Sequence, residues 1–245
     1  MIRGNLFRSK YDIAIIGSGI GGSILATILA KEGLKIIVLE TNQHPKFAIG
    51  ESMILESSEI FRQLAETYGI PEIAYYSSEN FIPLVGSTHG VKRHFSYMYH
   101  KKDHEEDSNE LMMANIPKEP YGHELHIYRQ DCDYFYCSLA IKYGVDVHQK
   151  TNILDLEIYD SNVEIKLVDG RTINSNYIVD ASGFKSILTN KYNGKSRLLM
   201  RRGKVLKVCC NQSISDQIKM ETNGDKSLIW TSVDYSEYTN LDKIY

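Results

Sequence analysis

A glycine-rich turn between a short apolar strand and a helix-like run constrains this chain more than any other feature. The segment Tyr11–Ile16 is followed by Gly17-Ser-Gly19-Ile-Gly21-Gly22, and Glu40 closes the next apolar strand. In a dinucleotide-binding βαβ unit the three glycines allow the tight turn, the approach of the pyrophosphate and the close packing of helix and strand. The helix N-terminus adds amides and partial positive charge. The residues predicted to bind the dinucleotide are Gly17, Ser18, Gly19, Ile20, Gly21, Gly22 and Glu40, whose carboxylate would accept the ribose hydroxyls.

The remaining periodic segments predict an α/β fold. Apolar spacing indicates helices over 23–31, 57–68 and 133–143, and a short strand over 145–148. Three further strands, 153–158, 163–168 and 172–179, are separated by the turn residues Asp160-Ser-Asn162 and Asp169-Gly170. The predicted fold class is therefore a three-layer ββα FAD/NAD(P)-binding domain with a GxGxxG Rossmann start, a β-meander and an inserted partial substrate-binding β-sheet.

Residues 81–128 differ in character, because aromatic residues and histidines alternate with polar residues. The run His94–Tyr99 predicts strands that form one wall of a pocket. His100 and His104 have i, i+4 spacing, but their segment is too polar for a buried ligand helix, so no metal site is predicted. The region's histidines are instead expected to line the pocket beside tyrosines, and these residues are His94, His100, His104, His123, His126, Tyr97, Tyr99 and Tyr121.

Bulk properties exclude several classes of protein. A formal net charge of −3 gives no global attraction to nucleic acid or to an anionic membrane. Every apolar run is shorter than the roughly 18 residues that span a bilayer, and the basic segment Met1–Lys10 lacks the features of a signal peptide. The four cysteines form no C-x-x-C pair, which favours a reduced, cytoplasmic compartment. Neither a nucleic acid nor a membrane is expected as a partner.

With these segments in place, roughly residues 10–190 resemble the flavin-dependent halogenases of the aromatic-hydroxylase-like flavoprotein superfamily. Four elements carry the resemblance: the glycine fingerprint with Glu40, Gly50-Glu51-Ser52, Tyr128-Arg129-Gln-Asp-Cys-Asp133, and Asp180-Ala-Ser-Gly183. The first and last are shared across the superfamily, whereas Gly50-Glu51-Ser52 is specific to the halogenases. Two departures are Cys132 in place of the usual aromatic and Leu55 in place of the usual proline.

The resemblance implies further contacts with FAD. Arg129, at a helix start, would bind the flavin diphosphate, or would be a surface arginine. Asp180 would accept a hydrogen bond from the ribityl chain, or would merely begin a turn. The Gly50-Glu51-Ser52 element would lie near the isoalloxazine, or would cap a helix. The implied FAD-binding residues beyond the fingerprint are Gly50, Glu51, Ser52, Arg129, Ile153, Asp180 and Gly183.

The resemblance also implies a chemistry. A separate flavin reductase would supply reduced FAD, which with oxygen would convert chloride, the co-substrate, into hypohalous acid. A lysine would then position the oxidant against an electron-rich aromatic or phenolic substrate, either free or tethered to a carrier protein. The family's lysine position, counted back from Phe95, falls near His89-Gly90, and the nearest lysine is Lys92. Lys92 is therefore the candidate catalytic residue, with an exposed strand lysine as the alternative.

The expected domains are 1–80 and 129–190 for FAD, 81–128 as the substrate-sheet insertion, and 191–245 as a divergent or truncated tail. Halogenases normally continue well beyond this length, and their W-x-W-x-I-P element has no counterpart after Trp230 or elsewhere. The predicted function of such a chain is halogenation in secondary metabolism. The alternatives are an FAD-dependent monooxygenase or prenyl reductase of the same superfamily, and an inactive truncated remnant.

Overall fold

The computed structural model describes residues 10–86, 88–99, 103–105 and 107–192. Its centre is a six-stranded sheet in the order β7-β2-β1-β10-β9-β8. The four strands on the β7 side are mutually parallel, and β8, β9 and β10 form an antiparallel meander. The strands are β1 (Tyr11–Ile16), β2 (Ile36–Leu39), β7 (Asp146–His148), β8 (Ile153–Ile158), β9 (Val163–Leu167) and β10 (Thr172–Asp180).

The Rossmann-like class, the meander and its two turns are confirmed. β2 is apolar and buried throughout, and β1 is apolar apart from Asp12 and mostly buried, as expected for central parallel strands covered on both faces. β10 returns along the other side of β1, so that Ile16 lies opposite Asp180. The carboxyl ends of β1, β2 and β10 therefore meet at one edge of the sheet, where ligands bind in such folds.

The described part of the first unit has three α-helices, α1 (Ile20–Lys31), α2 (Leu55–Tyr68) and α3 (Arg129–Lys142), of which α1 and α3 pack on the main sheet. One apolar cluster lies between the sheet and α1 and α3, and includes Ile15, Ala26 and Val38. A larger, aromatic cluster joins α1, α2 and α3 to the turns that follow α2. Its largest buried members are Phe61, Ile70, Ile73, Tyr76, Phe81 and Tyr136.

All three helices begin earlier than their apolar periodicity predicted. α1 begins at Ile20 rather than residue 23, because Gly19 is extended and the two glycines after Ile20 are already helical. α2 begins at Leu55 rather than residue 57, and α3 at Arg129 rather than residue 133. Periodicity detects the buried face of a helix but misses a first turn made of glycine or polar residues.

The insertion consists of two small antiparallel ladders outside the main sheet. β3 (Gly90–Lys92) pairs with β6 (Glu124–His126), and β4 (His94–Met98) pairs with β5 (Leu111–Asn115). A 3₁₀ turn over Pro71–Tyr76 and a π turn over Phe81–Val85 lead into the insertion from α2. The predicted aromatic strands are confirmed, but as separate two-stranded ladders.

The chain divides into two compact units after Ala181. In the second unit the described residues comprise a 3₁₀ turn, Gly183–Lys185, and a short helix, α4 (Ile187–Lys191). The expected tail, 191–245, lies outside the described residues from residue 193 onward. No helix in the described part of the chain is long and apolar enough to cross a membrane.

Candidate dinucleotide and lysine site

The glycine turn has the geometry that close packing and phosphate approach require. Gly17 has a φ of +99°, which side-chain-bearing residues rarely adopt. A Cβ on Gly22 would lie 2.2 Å from the carbonyl oxygen of Gly17, so any side chain there would collide with the backbone of the turn. A Cβ on Gly19 would meet nothing nearer than 3.9 Å. The turn is therefore closed behind Gly22 and open in front of Gly19, as a dinucleotide pyrophosphate needs.

Glu40 follows β2 directly and is buried at the edge of the sheet, with 4% of its surface exposed. Its Oε2 accepts hydrogen bonds from the backbone amide and the hydroxyl of Ser18, at 3.0 and 2.9 Å. The amide of Asn42 donates to Oε1 at 2.8 Å, and the Lys46 ammonium lies 2.5 Å from Oε2. The carboxylate is thus fixed against the glycine turn, at the place where ribose hydroxyls would arrive.

These donors hold Glu40 in its ionised form. Burial by itself would raise the pKa of Glu40, but the hydrogen bonds from Lys46, Ser18 and Asn42 and the charge of Lys46 outweigh it. Together these effects lower the pKa of Glu40 from 4.5 to about 2. An ionised carboxylate accepts hydroxyl hydrogen bonds well and repels a phosphate, which fits an FAD or NAD ribose rather than a 2′-phosphate.

His44 extends this network. Its Nε2 lies 2.7 Å from the Ser18 hydroxyl, and its backbone amide donates to the Gln149 side chain at 2.6 Å. Burial, and then the charge of Lys46, lower the pKa of His44. A neutral imidazole can orient the Ser18 hydroxyl without bringing a second positive charge beside Lys46.

Arg129 is the first residue of α3, and it connects three parts of the site. It makes a two-pronged ion pair with Asp133, at 2.8 and 2.9 Å, and donates to the backbone carbonyls of Ile49 and Gly50. A Cβ on Gly19 would come within 4.0 Å of its Nη2. Arg129 is therefore not a free surface arginine: it joins α3, the glycine turn and the Gly50-Glu51-Ser52 element.

The Gly50-Glu51-Ser52 element does not cap a helix. The cap of α2 is Ile54, and Ser52 instead forms an isolated antiparallel bridge with His126. The amide of Ile127 donates to the Glu51 carbonyl at 2.8 Å. This element is thus an extended strand-like segment beside the β3–β6 ladder.

Of the other predicted cofactor residues, Asp180 lies at this edge of the sheet, whereas Ile153 begins the meander and pairs with Leu167. Asp180 ends β10 beside the last residue of β1. Ile153 begins β8 two residues after Thr151, whose amide donates to the Glu40 carbonyl at 2.9 Å. Gly183, with a φ of +65°, belongs to the second unit and is described only within it.

Lys92 is buried, with 7% of its surface exposed, so the expectation of an exposed strand lysine is wrong. Its ammonium donates to the carbonyl oxygen of Met53 at 2.7 Å and lies 5.1 Å from the centre of the Phe95 ring. Met53 directly follows the Gly50-Glu51-Ser52 element. The fold therefore brings the candidate lysine to the Gly50-Glu51-Ser52 segment.

Glu124 faces Lys92 across the β3–β6 ladder and is fully buried. Its Oε1 accepts hydrogen bonds from the Ser58 hydroxyl at 2.8 Å and the Leu125 amide at 3.0 Å. Burial raises the pKa of Glu124, and those hydrogen bonds and the charge of Lys92 oppose the rise. Its Oε2 has no hydrogen-bond partner among the described residues.

A cleft of about 540 Å³ lies between α2 and residues 117–124; it includes Tyr121 but none of the five histidines. The histidine-lined pocket beside His94–Tyr99 stays a prediction. His123 is held by a contact between its Nδ1 and the Ile116 carbonyl at 2.9 Å, and His100 lies outside the described residues. Within the described ranges, no group of three or more potential ligands could hold a metal ion.

Sequence reasoning missed several partners of the predicted residues. Asp133 lies four residues after Arg129 on one helix, a spacing that could have indicated the ion pair. His44 and Lys46 are close to Glu40 in sequence, but nothing in a loop shows which way such side chains turn. Glu124 gave no local signal, because its environment depends on the pairing of two distant strands.

Comparisons with known proteins confirm the resemblance. Residues 15–49 match the NAD(P)-binding Rossmann-like domain family. The tetracycline 7-halogenase of Kitasatospora aureofaciens is 40% identical over 182 residues, which is 74% of this chain and 33% of that protein. The crystal structure of halogenase PltM with phloroglucinol and FAD is 35% identical with a TM-score of 0.67, over 75% of this chain and 36% of that one. About three quarters of the chain thus resemble flavin-dependent halogenases, and the chain spans about a third of the curated halogenases' length.

A second similarity concerns the end of the chain. Residues 157–243 match the RanBP1 domain family, and 57 residues are 46% identical to the E3 SUMO-protein ligase RanBP2 of Homo sapiens. That stretch is 22% of this chain and 2% of the human protein. The first residues of the family match, 157–180, overlap β8, β9 and β10, which are built into the six-stranded sheet.

Proposed function

We propose that the first unit of this chain binds FAD and supports halogenation of an aromatic or phenolic molecule in secondary metabolism. One observation carries the proposal. The buried Lys92 ammonium donates to Met53, next to the Gly50-Glu51-Ser52 element, so the lysine and the halogenase-specific segment form one local structure. A monooxygenase or prenyl reductase of the same superfamily would have no need of a buried lysine there.

The residues at the glycine turn fit FAD. The closed packing at Gly22, the open face at Gly19 and the ionised Glu40 suit the adenosine and pyrophosphate parts of a dinucleotide. The amides that open α1 would face the phosphates, with Arg129 beside them. Gly50, Glu51 and Ser52 would then lie toward the isoalloxazine, and Asp180, at the end of β10, would lie toward the ribityl chain.

The chain's own residues would orient the reaction. When bound and reduced, FAD supplies the oxidising power from oxygen that turns chloride into an electrophilic halogen donor. Lys92 would hold that donor against the substrate ring, either by a hydrogen bond from its ammonium or through its amine as a nucleophile. Burial of Lys92 excludes water from the amine, which protects an electrophilic halogen from being lost to solvent.

The partners follow from this chemistry. A separate flavin reductase would supply reduced FAD, and the substrate would arrive free or tethered to a carrier protein. A cytoplasmic location suits this supply of reduced flavin, and the two described cysteines, Cys132 and Cys137, are free thiols buried in α3.

An assay of the purified full chain tests the proposal. The chain would be mixed with FAD, a flavin reductase, NADH, chloride and a panel of phenols, and products would be identified by mass spectrometry. We expect a product that gains one chlorine in place of hydrogen, and none without chloride. Hydroxylated product formed independently of halide would support the monooxygenase, and binding of FAD without any turnover would support the inactive remnant.

We also propose a division of the chain. Residues 1–80 and 129–190 would carry FAD and 81–128 the substrate insertion, which agrees with the position of the β3–β6 and β4–β5 ladders outside the main sheet. The tail 191–245 would be similar to part of a RanBP1 domain rather than to a halogenase. Support comes from the end of the first unit at Ala181 and from the second family match.

Limited proteolysis tests this division. Cleavage of the full chain shortly after residue 190, mapped by mass spectrometry, would leave an N-terminal fragment, whose FAD affinity would be compared with that of the intact chain. An unchanged affinity would support two independent parts. A fragment that loses FAD would show that the residues after 190 contribute to the flavin site.

A further inference from the structure

A cleft beside the buried Glu124 offers a second binding site. It lies between α2 and the loop that leads into β6, and its volume of about 540 Å³ falls within the range of small-molecule sites. Its lining residues are Glu56, Ser58, Glu59, Ile60, Arg62, Gln63, Ser78, Pro117, Glu119, Pro120, Tyr121, Gly122 and Glu124. None of them belongs to the predicted FAD site.

The charge of the cleft favours a cation. Four carboxyl groups line it, against a single guanidinium, that of Arg62. That guanidinium is already engaged, at 3.0 Å from Glu59 and 2.8 Å from Glu79. The positive charge of Arg62 is therefore largely neutralised by Glu59 and Glu79. Among the described residues neither Glu119 nor Glu124 forms an ion pair, although the charges of Arg62 and Lys92 both act on Glu124.

The inner wall of the cleft contains an unsatisfied acceptor. Glu124 is wholly buried, its Oε1 bonds to Ser58 and Leu125, and its Oε2 has no partner among the residues that the structure describes. An unpaired buried carboxyl oxygen costs free energy, and a donor that enters the cleft would recover it. A donor with a positive charge would also favour the ionised form of the carboxyl.

The rest of the lining suits an aromatic body. Pro117, Pro120 and Ile60 are apolar, and the ring of Tyr121 is about half exposed. The Arg62 guanidinium already lies over this ring, with 4.1 Å between its Cζ and the ring centre. A tyrosine ring with one face on a planar cation can also contact a second aromatic ring at its edge.

We propose that this cleft binds small aromatic molecules that carry a protonated amine. The carboxyls of Glu119 and Glu124 receive the ammonium group, and Tyr121 with the two prolines contacts the ring. The binding is a property of the cleft itself, so it does not depend on flavin chemistry or on the identity of the reaction.

Three ligands of nearly equal shape test the proposal. Tryptamine, tryptophol and indole-3-acetate differ mainly in the terminal group, which is cationic, neutral and anionic in turn at pH 7. Binding to the full chain would be measured by isothermal titration calorimetry and by saturation-transfer NMR, with and without FAD. We expect tryptamine to bind about ten-fold more tightly than tryptophol, and indole-3-acetate more weakly still. Equal affinities, or tighter binding of the acid, would overturn the proposal.

Variants locate the site. Glu124→Gln keeps the size of the side chain and its contact with Ser58, and Glu119→Gln changes only the exposed mouth of the cleft. We expect each to weaken tryptamine binding about five- to ten-fold while leaving tryptophol binding unchanged. The exposed Glu32, outside the cleft, supplies the matched control, Glu32→Gln. If Glu124→Gln does not fold, the tryptamine affinity of Glu119→Gln alone tests the site. An unchanged tryptamine affinity in Glu119→Gln would place the ligand elsewhere and overturn the proposal. An equal loss of affinity in Glu32→Gln would do the same.

Discussion

The Cα of Gly22 lies so close to the carbonyl oxygen of Gly17 that an added Cβ would stand 2.2 Å from it. The added methyl group in Gly22→Ala must therefore push α1 away from the glycine turn. We expect a loss of about 2 to 3 kcal/mol in the free energy of unfolding and at least a ten-fold weaker FAD affinity. Chemical denaturation and a fluorescence titration with FAD measure the two effects.

The neighbouring glycine provides the control. A Cβ on Gly21 would meet nothing within 4 Å, and Gly21 is also helical. Gly21→Ala should keep the stability or raise it by up to about 1 kcal/mol, because alanine is the better helix former. Equal losses in both variants would show that the turn tolerates no change for some reason other than the contact with Gly17.

The pKa of Glu40 predicts an acid limit for the fold. Because its pKa is lowered from 4.5 to about 2, the ionised carboxylate contributes stability above about pH 4.5, and this contribution is lost as the pH falls toward 2. The full shift corresponds to about 3 kcal/mol at most. Unfolding curves should show that the free energy of unfolding of the wild type exceeds that of Glu40→Gln at pH 6, and that this difference shrinks as the pH falls to 2.5. A constant difference between the two proteins across this pH range would refute the prediction.

Removal of the Lys92 amine should reduce halogenation while leaving FAD binding almost unchanged. Lys92→Met keeps most of the side-chain volume but cannot donate to Met53. We expect FAD affinity within about two-fold of wild type and a loss of about a hundred-fold or more in halogenated product, the size of effect that a positioned proton donor or acceptor gives. Product analysis and FAD titration check both. The exposed Lys35 gives the control variant Lys35→Met, which should halogenate like the wild type. Halogenation that survived in Lys92→Met would exclude Lys92 as the catalytic residue.

The two-pronged pair between Arg129 and Asp133 should be hard to replace. Lysine at position 129 retains the charge but cannot bind Asp133 and the Ile49 and Gly50 carbonyls together. We expect Arg129→Lys to weaken FAD binding about ten-fold. Calorimetric titration measures the change, and Arg171→Lys, on the exposed β9–β10 turn, should leave the affinity unaltered. An unaltered affinity in Arg129→Lys would mean that charge alone is sufficient at this position.

The sequence predicted the main sheet well, because each of its strands has a local pattern. β2 is a continuous apolar run, β1 is apolar apart from Asp12, and the meander is marked by turn residues at 160–162 and 169–170. The glycine turn could be predicted equally well, since the steric demands on Gly17 and Gly22 allow few other residues. These features depend on neighbours in the chain, and neighbours in the chain are what a sequence displays.

The environment of Lys92 could not be predicted in the same way. Its burial depends on the pairing of β3 with β6, which begins more than 30 residues later, and on Met53, which is 39 residues away. The same pairing places Glu124 opposite Lys92. A three-residue strand carries too little pattern to specify its partner, so the sequence left open whether Lys92 is an exposed strand lysine or a functional one.

The pairing of β1 with β10 has a consequence for biosynthesis. β1 leaves the ribosome well before β10, because this ladder neighbour follows about 160 residues later in the chain; Asp12 and Asn176, which share a hydrogen bond, are 164 positions apart. At ordinary rates of translation this delay lasts roughly 10 to 30 seconds. Throughout that interval an apolar strand has an open edge, which is a template for aggregation. The yield of this protein in cells should therefore depend on chaperones that cover β1 until Asp180 has been synthesised.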